Sequence, residues 1–150
     1  MKYLSLPTLL LLFFFVACES SDRKAGDDPE TDIDAARDFI RASLDGNFKK
    51  ARNYMIADSA NEERMNLIER VSQNLSPDEK KGLAASSINI HNVTPVNDSA
   101  TVVIYSNSFK NNWDTLRVIK QQGKWLVDFV YLWEHDKDTL VQYKNQDPRP

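Results

Sequence analysis

Asp128 is the carboxylate whose setting suggests proton chemistry. It stands within Trp125-Leu126-Val127-Asp128-Phe129-Val130-Tyr131-Leu132-Trp133, where a period of two places it on the same side as Leu126, Val130 and Leu132. A carboxylate on an apolar face is desolvated, which raises its pKa toward the range of a general base. The same carboxylate at a sheet edge, or bonded to a backbone amide, is structural. Tyr54 and Tyr131 supply hydroxyls for such chemistry, and Asp128, Tyr131 and Trp133 are the candidate pocket residues. Trp125, Phe129, Tyr131 and Trp133 alternate onto the side opposite Asp128. They either line a ligand pocket, since such pockets are largely apolar with a few polar groups, or form core beneath helices. A domain this small must bury most of its aromatics, which favours core.

Other chemistries find little support. The two histidines, His91 and His135, lie apart, with no HxH, HxxxH or Cys/His cluster, so neither a metal site nor another cofactor is expected. His91 alternates with Ile88 and Ile90 and should face solvent, while Glu134-His135-Asp136 reads as a charged loop. No Gly-x-Ser-x-Gly elbow occurs, and with four glycines the chain has no phosphate-cradling loop. The formal net charge of −3 argues against nucleic acid, whose binding rests on clustered Lys and Arg. Asp followed by Ser or Thr and an apolar residue occurs at Ser59, Ser99, Thr115 and Thr139. This resembles the O-glycosylation motif of exported Bacteroidetes proteins. Turn and helix capping by Asp, Ser and Thr explains the same pattern.

The elements that would position these residues fall into helices first and strands second. Thr31 with Asp34 makes a capping start for a helix carrying Ile33, Ala36, Phe39, Ile40 and Leu44, stopped by Asp45-Gly46. Asn47 caps a second helix with Phe48, Ala51 and Met55 on one face. A third covers about residues 60–73 with Met65, Ile68 and Val71 inward, and Ser76-Pro77-Asp78-Glu79 opens a fourth. From Ser87 the period changes to two. Strands are predicted over 87–93, 100–109, 113–120 and 124–133, with turns at 94–98 and 121–123. The second is apolar on both faces, Ala100, Val102 and Ile104 against Val103 and Tyr105, and should be central. The expected class is α+β, with N-terminal helices packed on a curved antiparallel sheet of about four strands.

The N-terminus predicts an address. Lys2 precedes an apolar run from Leu4 to Ala17, shorter than the roughly 18 residues needed to span a bilayer and of the kind found in secretory signals. Phe15-Val16-Ala17-Cys18 resembles the lipobox of bacterial lipoproteins, although that family usually has Leu where Phe15 stands. The resemblance implies cleavage of the signal peptide 1–17 and lipidation of Cys18, a lone cysteine that can form no internal disulfide. Cleavage leaves 133 of the 150 residues and, with Lys2 removed, a net charge of −4. Glu19 in place of the Asp that signals inner-membrane retention points to the outer membrane. Residues 18–31 read as a lipidated, disordered tether averaging roughly 20 Å end to end, 32–144 as the domain, and 145–150 as a frayed tail.

Ala35-Ala36-x-x-Phe39-Ile40-x-x-x-Leu44-Asp45-Gly46-Asn47-Phe48-x-x-Ala51 resembles the opening of cystatin-like, nuclear-transport-factor-2-like domains of bacterial lipoproteins. Ala100-Thr101-Val102, Asp114-Thr115-Leu116 and Gly123-Lys124-Trp125-Leu126-Val127 resemble that family's strand and hairpin signature. One branch is called lumazine-binding-like. Asn47 stands where Asp is commoner, and residues 56–86 match nothing in the pattern. The resemblance implies a cone with a pocket between helices and sheet. It implies no activity, because that fold carries enzymes, carriers and interaction modules alike. The leading expectation is therefore a membrane-anchored envelope lipoprotein that binds a small molecule or an envelope protein without catalysis. The alternatives are a small enzyme with isomerase- or dehydratase-like proton transfer, and a component of an export or assembly complex.

Overall fold

The computed structural model of the protein describes residues 28–131. Cys18, Trp133, His135, Thr139 and the tail 145–150 lie outside the described residues.

Local signals set the helix starts. The Thr31 side chain accepts the Asp34 N–H and opens α1 (Asp32–Leu44). The chain leaves α1 through Gly46, whose φ of 70° suits glycine. Asn47 caps α2 (Phe48–Arg52), and Asp58 caps α3 (Ser59–Gln73). Ser76 and Glu79 close a reciprocal capping box on α4 (Pro77–Ala85), with proline in the first turn.

Four strands follow, β1 (Ile88–Asn97), β2 (Ala100–Asn107), β3 (Trp113–Gln121) and β4 (Lys124–Asp128), in one antiparallel sheet of order β1-β2-β3-β4. The fold class is α+β, as expected, and β2 lies inside the sheet. Gln122 and Gly123, both at positive φ, make the tight β3–β4 turn.

Three expectations need correction. The expected turn at 94–98 is mostly strand: β1 continues to Asn97, because an edge strand tolerates Pro95 and two register irregularities absorb the misfit. Met55 lies beyond α2 and bridges Val127 in parallel, so the 54–56 segment covers the free edge of β4. Finally, β4 stops at Asp128 instead of running to residue 133, and Val130-Tyr131 are helical. The cause is Asn61 of α3, 1 % exposed, whose Oδ1 accepts the N–H groups of Phe129 at 2.6 Å and Val130 at 3.1 Å. Those donors are thereby withdrawn from any ladder.

The core lies between α1 and one sheet face. Ala35, Ala36 and Ala42 let α1 approach closely, and Phe39 and Ile40 pack with Val103, Leu116, Val118 and Val127. Phe39 meets Phe129 with ring centroids 5.3 Å apart. Arg52 ties α2 to α3 through Glu62, Asn66 and Glu69, and Arg41 of α1 donates to the Ser86 and Leu83 carbonyls at the end of α4.

Candidate functional site

The helices do not close over the sheet. Along α3, Met65 is fully buried, Ile68 is half-buried and Val71 is 52 % exposed, so the expected inward face is covered only at its N-terminal end. α4 buries none of its residues. Between these two helices, α1 and the sheet, a cavity of about 420 Å³ remains. Its walls are mostly apolar: Phe39, Ile40 and Leu44 of α1, Phe48 of α2, Met65, Ile68 and Val71 of α3, then Leu75, Leu83 and Phe129.

Polar groups gather on the sheet side. Tyr105 of β2 faces Asp114 of β3 as its direct register partner, and both line the cavity with Asn107 and Lys110. The Asn107 side chain accepts the Phe109 and Lys110 N–H groups, which fixes the loop carrying Lys110 at the rim. Ser43, also in the wall, already donates to the Phe39 carbonyl. Burial, and after it the Asp114 carboxylate, push the Tyr105 phenol well above its ordinary value of 10.0. Tyr105 is therefore a hydrogen-bond donor at any physiological pH and not a base.

Asp128 and Tyr131 come together elsewhere. Asp128 pairs in register with Arg117 on the sheet face turned away from the core, and the Arg117 guanidinium bonds its Oδ2 through both Nε and Nη2. The same guanidinium lies 4.8 Å from the Tyr131 ring centroid. Asp128 is 8 % exposed, as the apolar surroundings in the sequence suggested, but its partner is a cation and neither it nor Tyr131 lines the cavity. Trp125 packs against the core on the helix side, with Lys120 Nζ 5.3 Å from its ring centroid, and Phe129 is buried there. Tyr54 is buried in the core, where burial raises its pKa.

His91 is exposed, stacks on Trp113 at 4.0 Å and bonds the Ser106 hydroxyl through Nε2. Of the Asp-Ser/Thr sites, Ser59 is exposed at the start of α3 and Ser99 is exposed in the β1–β2 turn. Thr115 is 2 % exposed, with Oγ1 buried and unbonded, so the folded domain hides it from a modifying enzyme. Among the described residues no group of three His, Cys, Asp or Glu could hold a metal ion, and no helix is long and apolar enough to cross a membrane.

Sequence reading missed Tyr105, Lys110 and Asp114 as one constellation. Alternation puts Tyr105 on the Val103 face of β2, but the β2–β3 register that sets Asp114 opposite it is written in neither strand alone. No protein-family model matches the chain, and no curated protein or solved structure matches it either.

Proposed function

We propose that the protein is a cell-envelope lipoprotein, anchored in the outer membrane by lipid on Cys18, whose domain is a non-enzymatic binding module for a small molecule. The single observation that carries the binding role is the cavity of about 420 Å³ with apolar walls and a few polar groups on one side, which has the size and composition of a ligand site. The lipobox-like Phe15-Val16-Ala17-Cys18 supports the anchor, and the likeness of residues 33–133 to nuclear-transport-factor-2-like domains supports a pocket between helices and sheet.

A proton-transfer enzyme is the second reading. It would place its acid–base pair at Asp114 and Tyr105, since Asp128 is held by Arg117 on the other face of the sheet. A phenol held protonated beside a carboxylate that already has a partner favours binding over proton abstraction.

The test uses the full chain and the apolar fluorophore 1-aminoanthracene. Ile68→Trp, which pushes an indole into the cavity from α3, should abolish saturable binding while the thermal transition stays intact. Equal binding by both proteins would place the probe outside the cavity and remove the reading. The anchor is tested separately by Cys18→Ser: the wild type should carry acyl mass and partition with membranes, and the variant should do neither.

A further inference from the structure

We propose that the cavity takes a single-chain amphiphile with an anionic head, a fatty carboxylate, with its chain among the apolar walls and its head between Tyr105 and Lys110. This rests on the reading of the cavity as a binding site and adds the chemistry of the ligand.

The head group follows from which polar groups remain unspent. The Asn107 side-chain oxygen and the Ser43 hydroxyl are spent within the protein, and Asp114 already has a partner. Beside the neutral Asn107 amide N–H and Ser72 hydroxyl, two donors in the wall bear on the head group. Among the described residues Lys110 closes no ion pair, although it lies near enough to Glu79 to help lower that carboxyl's pKa, and Glu79 itself is engaged by Ser76. The Tyr105 hydroxyl makes no hydrogen bond among the described residues, and burial holds it protonated as a donor. A cation and a neutral donor at the polar side of an apolar cavity complement a carboxylate, which accepts from both. A cationic or neutral head leaves the ammonium unanswered. The Asp114 carboxylate opposes an anion, so its neutralisation should tighten binding.

The tail follows from the volume. About 420 Å³ lies toward the small end of ligand sites, roughly 300–1,000 Å³, and suits one chain better than the two of a phospholipid. Val71, a lining residue 52 % exposed, offers apolar surface for a chain to cover.

The experiment displaces 11-(dansylamino)undecanoic acid from the full-length protein in phosphatidylcholine nanodiscs, with empty nanodiscs subtracted. Dodecanoate should compete at least tenfold better than 1-dodecanol or dodecyltrimethylammonium. Each added methylene from octanoate upward should tighten competition about fourfold until the cavity is full. Lys110→Glu should weaken dodecanoate about three- to tenfold and Tyr105→Phe about tenfold, each by more than it weakens dodecanol. Asp114→Asn should strengthen dodecanoate. Equal competition by all three head groups, or a dodecanoate affinity indifferent to Lys110→Glu and Tyr105→Phe, overturns the proposal while leaving the cavity a binding site. Displacement by phosphatidylglycerol added to the nanodiscs, at least as strong as by dodecanoate, overturns the single-chain assignment. Loss of saturable 1-aminoanthracene binding in Ile68→Trp is scored separately, so failure of the cavity and failure of the ligand class are told apart.

Discussion

The side-chain oxygen of Asn61 receives the backbone N–H of Phe129 at 2.6 Å, so a residue on α3 decides where β4 ends, 68 positions along the chain. The same oxygen takes the Val130 N–H, and the Asn61 amide donates to Asp58 at 3.0 Å. A buried polar group so fully used makes α3 and the end of the sheet one unit.

Asn61→Leu therefore destabilises the domain by more than its small change in size suggests. Two backbone donors lose their acceptor, and a buried unsatisfied donor costs about 1–3 kcal/mol. The expected loss is about 2–4 kcal/mol in a denaturant titration. Hydrogen exchange at Phe129 and Val130 should accelerate more than at Val103. A loss below about 0.5 kcal/mol would show that water replaces the side chain without cost.

Asp58 makes the same corner sensitive to acid. Its carboxylate accepts the Asn61 backbone N–H at 2.8 Å and then the Asn61 amide, and these bonds hold its pKa below the ordinary value of 3.8. Because the folded state lowers this pKa, the stabilisation is complete above the unfolded value and fades as pH falls through the folded one. Asp58→Asn keeps a capping side chain but does not titrate. The stability advantage of the wild type over Asp58→Asn should be constant from pH 7 to about pH 5 and should shrink below about pH 4. A difference that stays flat down to pH 2.5 would contradict the hydrogen-bonding account.

The parts of this fold that were legible in the sequence are those written over three or four residues. Thr31 with Asp34, Asn47, and Ser76 with Glu79 announce three helix starts, and alternation along Ala100–Tyr105 announces a strand buried on both faces. The illegible parts depend on residues far apart. Asn61 looked like one polar position on a helix, yet it ends β4. Ile68 and Val71 carry the spacing of core residues, and nothing local says that α3 diverges and leaves them facing a cavity. Alternation places Asp128 on the side of Leu126, but its Arg117 partner is visible only once the β3–β4 register is known.

The Arg117–Asp128 pair should contribute modestly. Arg117 is 39 % exposed at its side chain and Asp128 11 %, so solvent screens the pair from one side. A double-mutant cycle of Arg117→Gln with Asp128→Asn should give a coupling of about 0.5–1.5 kcal/mol. Asp128→Asn should leave amphiphile binding in the cavity unchanged, because the pair occupies the opposite sheet face. A change in ligand affinity beyond about threefold would tie Asp128 to the site after all.

Arg41 holds one cavity wall. Its guanidinium donates to the Ser86 carbonyl at 2.7 Å and the Leu83 carbonyl at 3.2 Å, satisfying acceptors at the end of a helix that buries none of its own residues. Arg41→Met should cost about 1–2 kcal/mol and speed hydrogen exchange in α4 more than in α1. Uniform exchange changes across both helices would mean that α4 is held by other contacts.

Gly82 in the same helix tests how the loop beside the cavity rim is seated. A Cβ built on Gly82 would lie 2.3 Å from the Phe109 ring, so the ring rests directly on the glycine backbone. Glycine in a helix interior costs about 1 kcal/mol relative to alanine, and here that loss permits the close approach. Phe109 is 45 % exposed, however, and its ring has room to swing outward. In the wild-type background Gly82→Ala should be close to neutral, because the helical gain is offset by displacing the ring. In a Phe109→Ala background the same change should stabilise by about 1 kcal/mol, since only the gain remains. The difference between the two backgrounds in denaturant titrations measures the Gly82–Phe109 contact. If Gly82→Ala stabilises both equally, the ring does not depend on the glycine, and the loop carrying Lys110 is held by Asn107 and by the Ser87–Ser108 bonds.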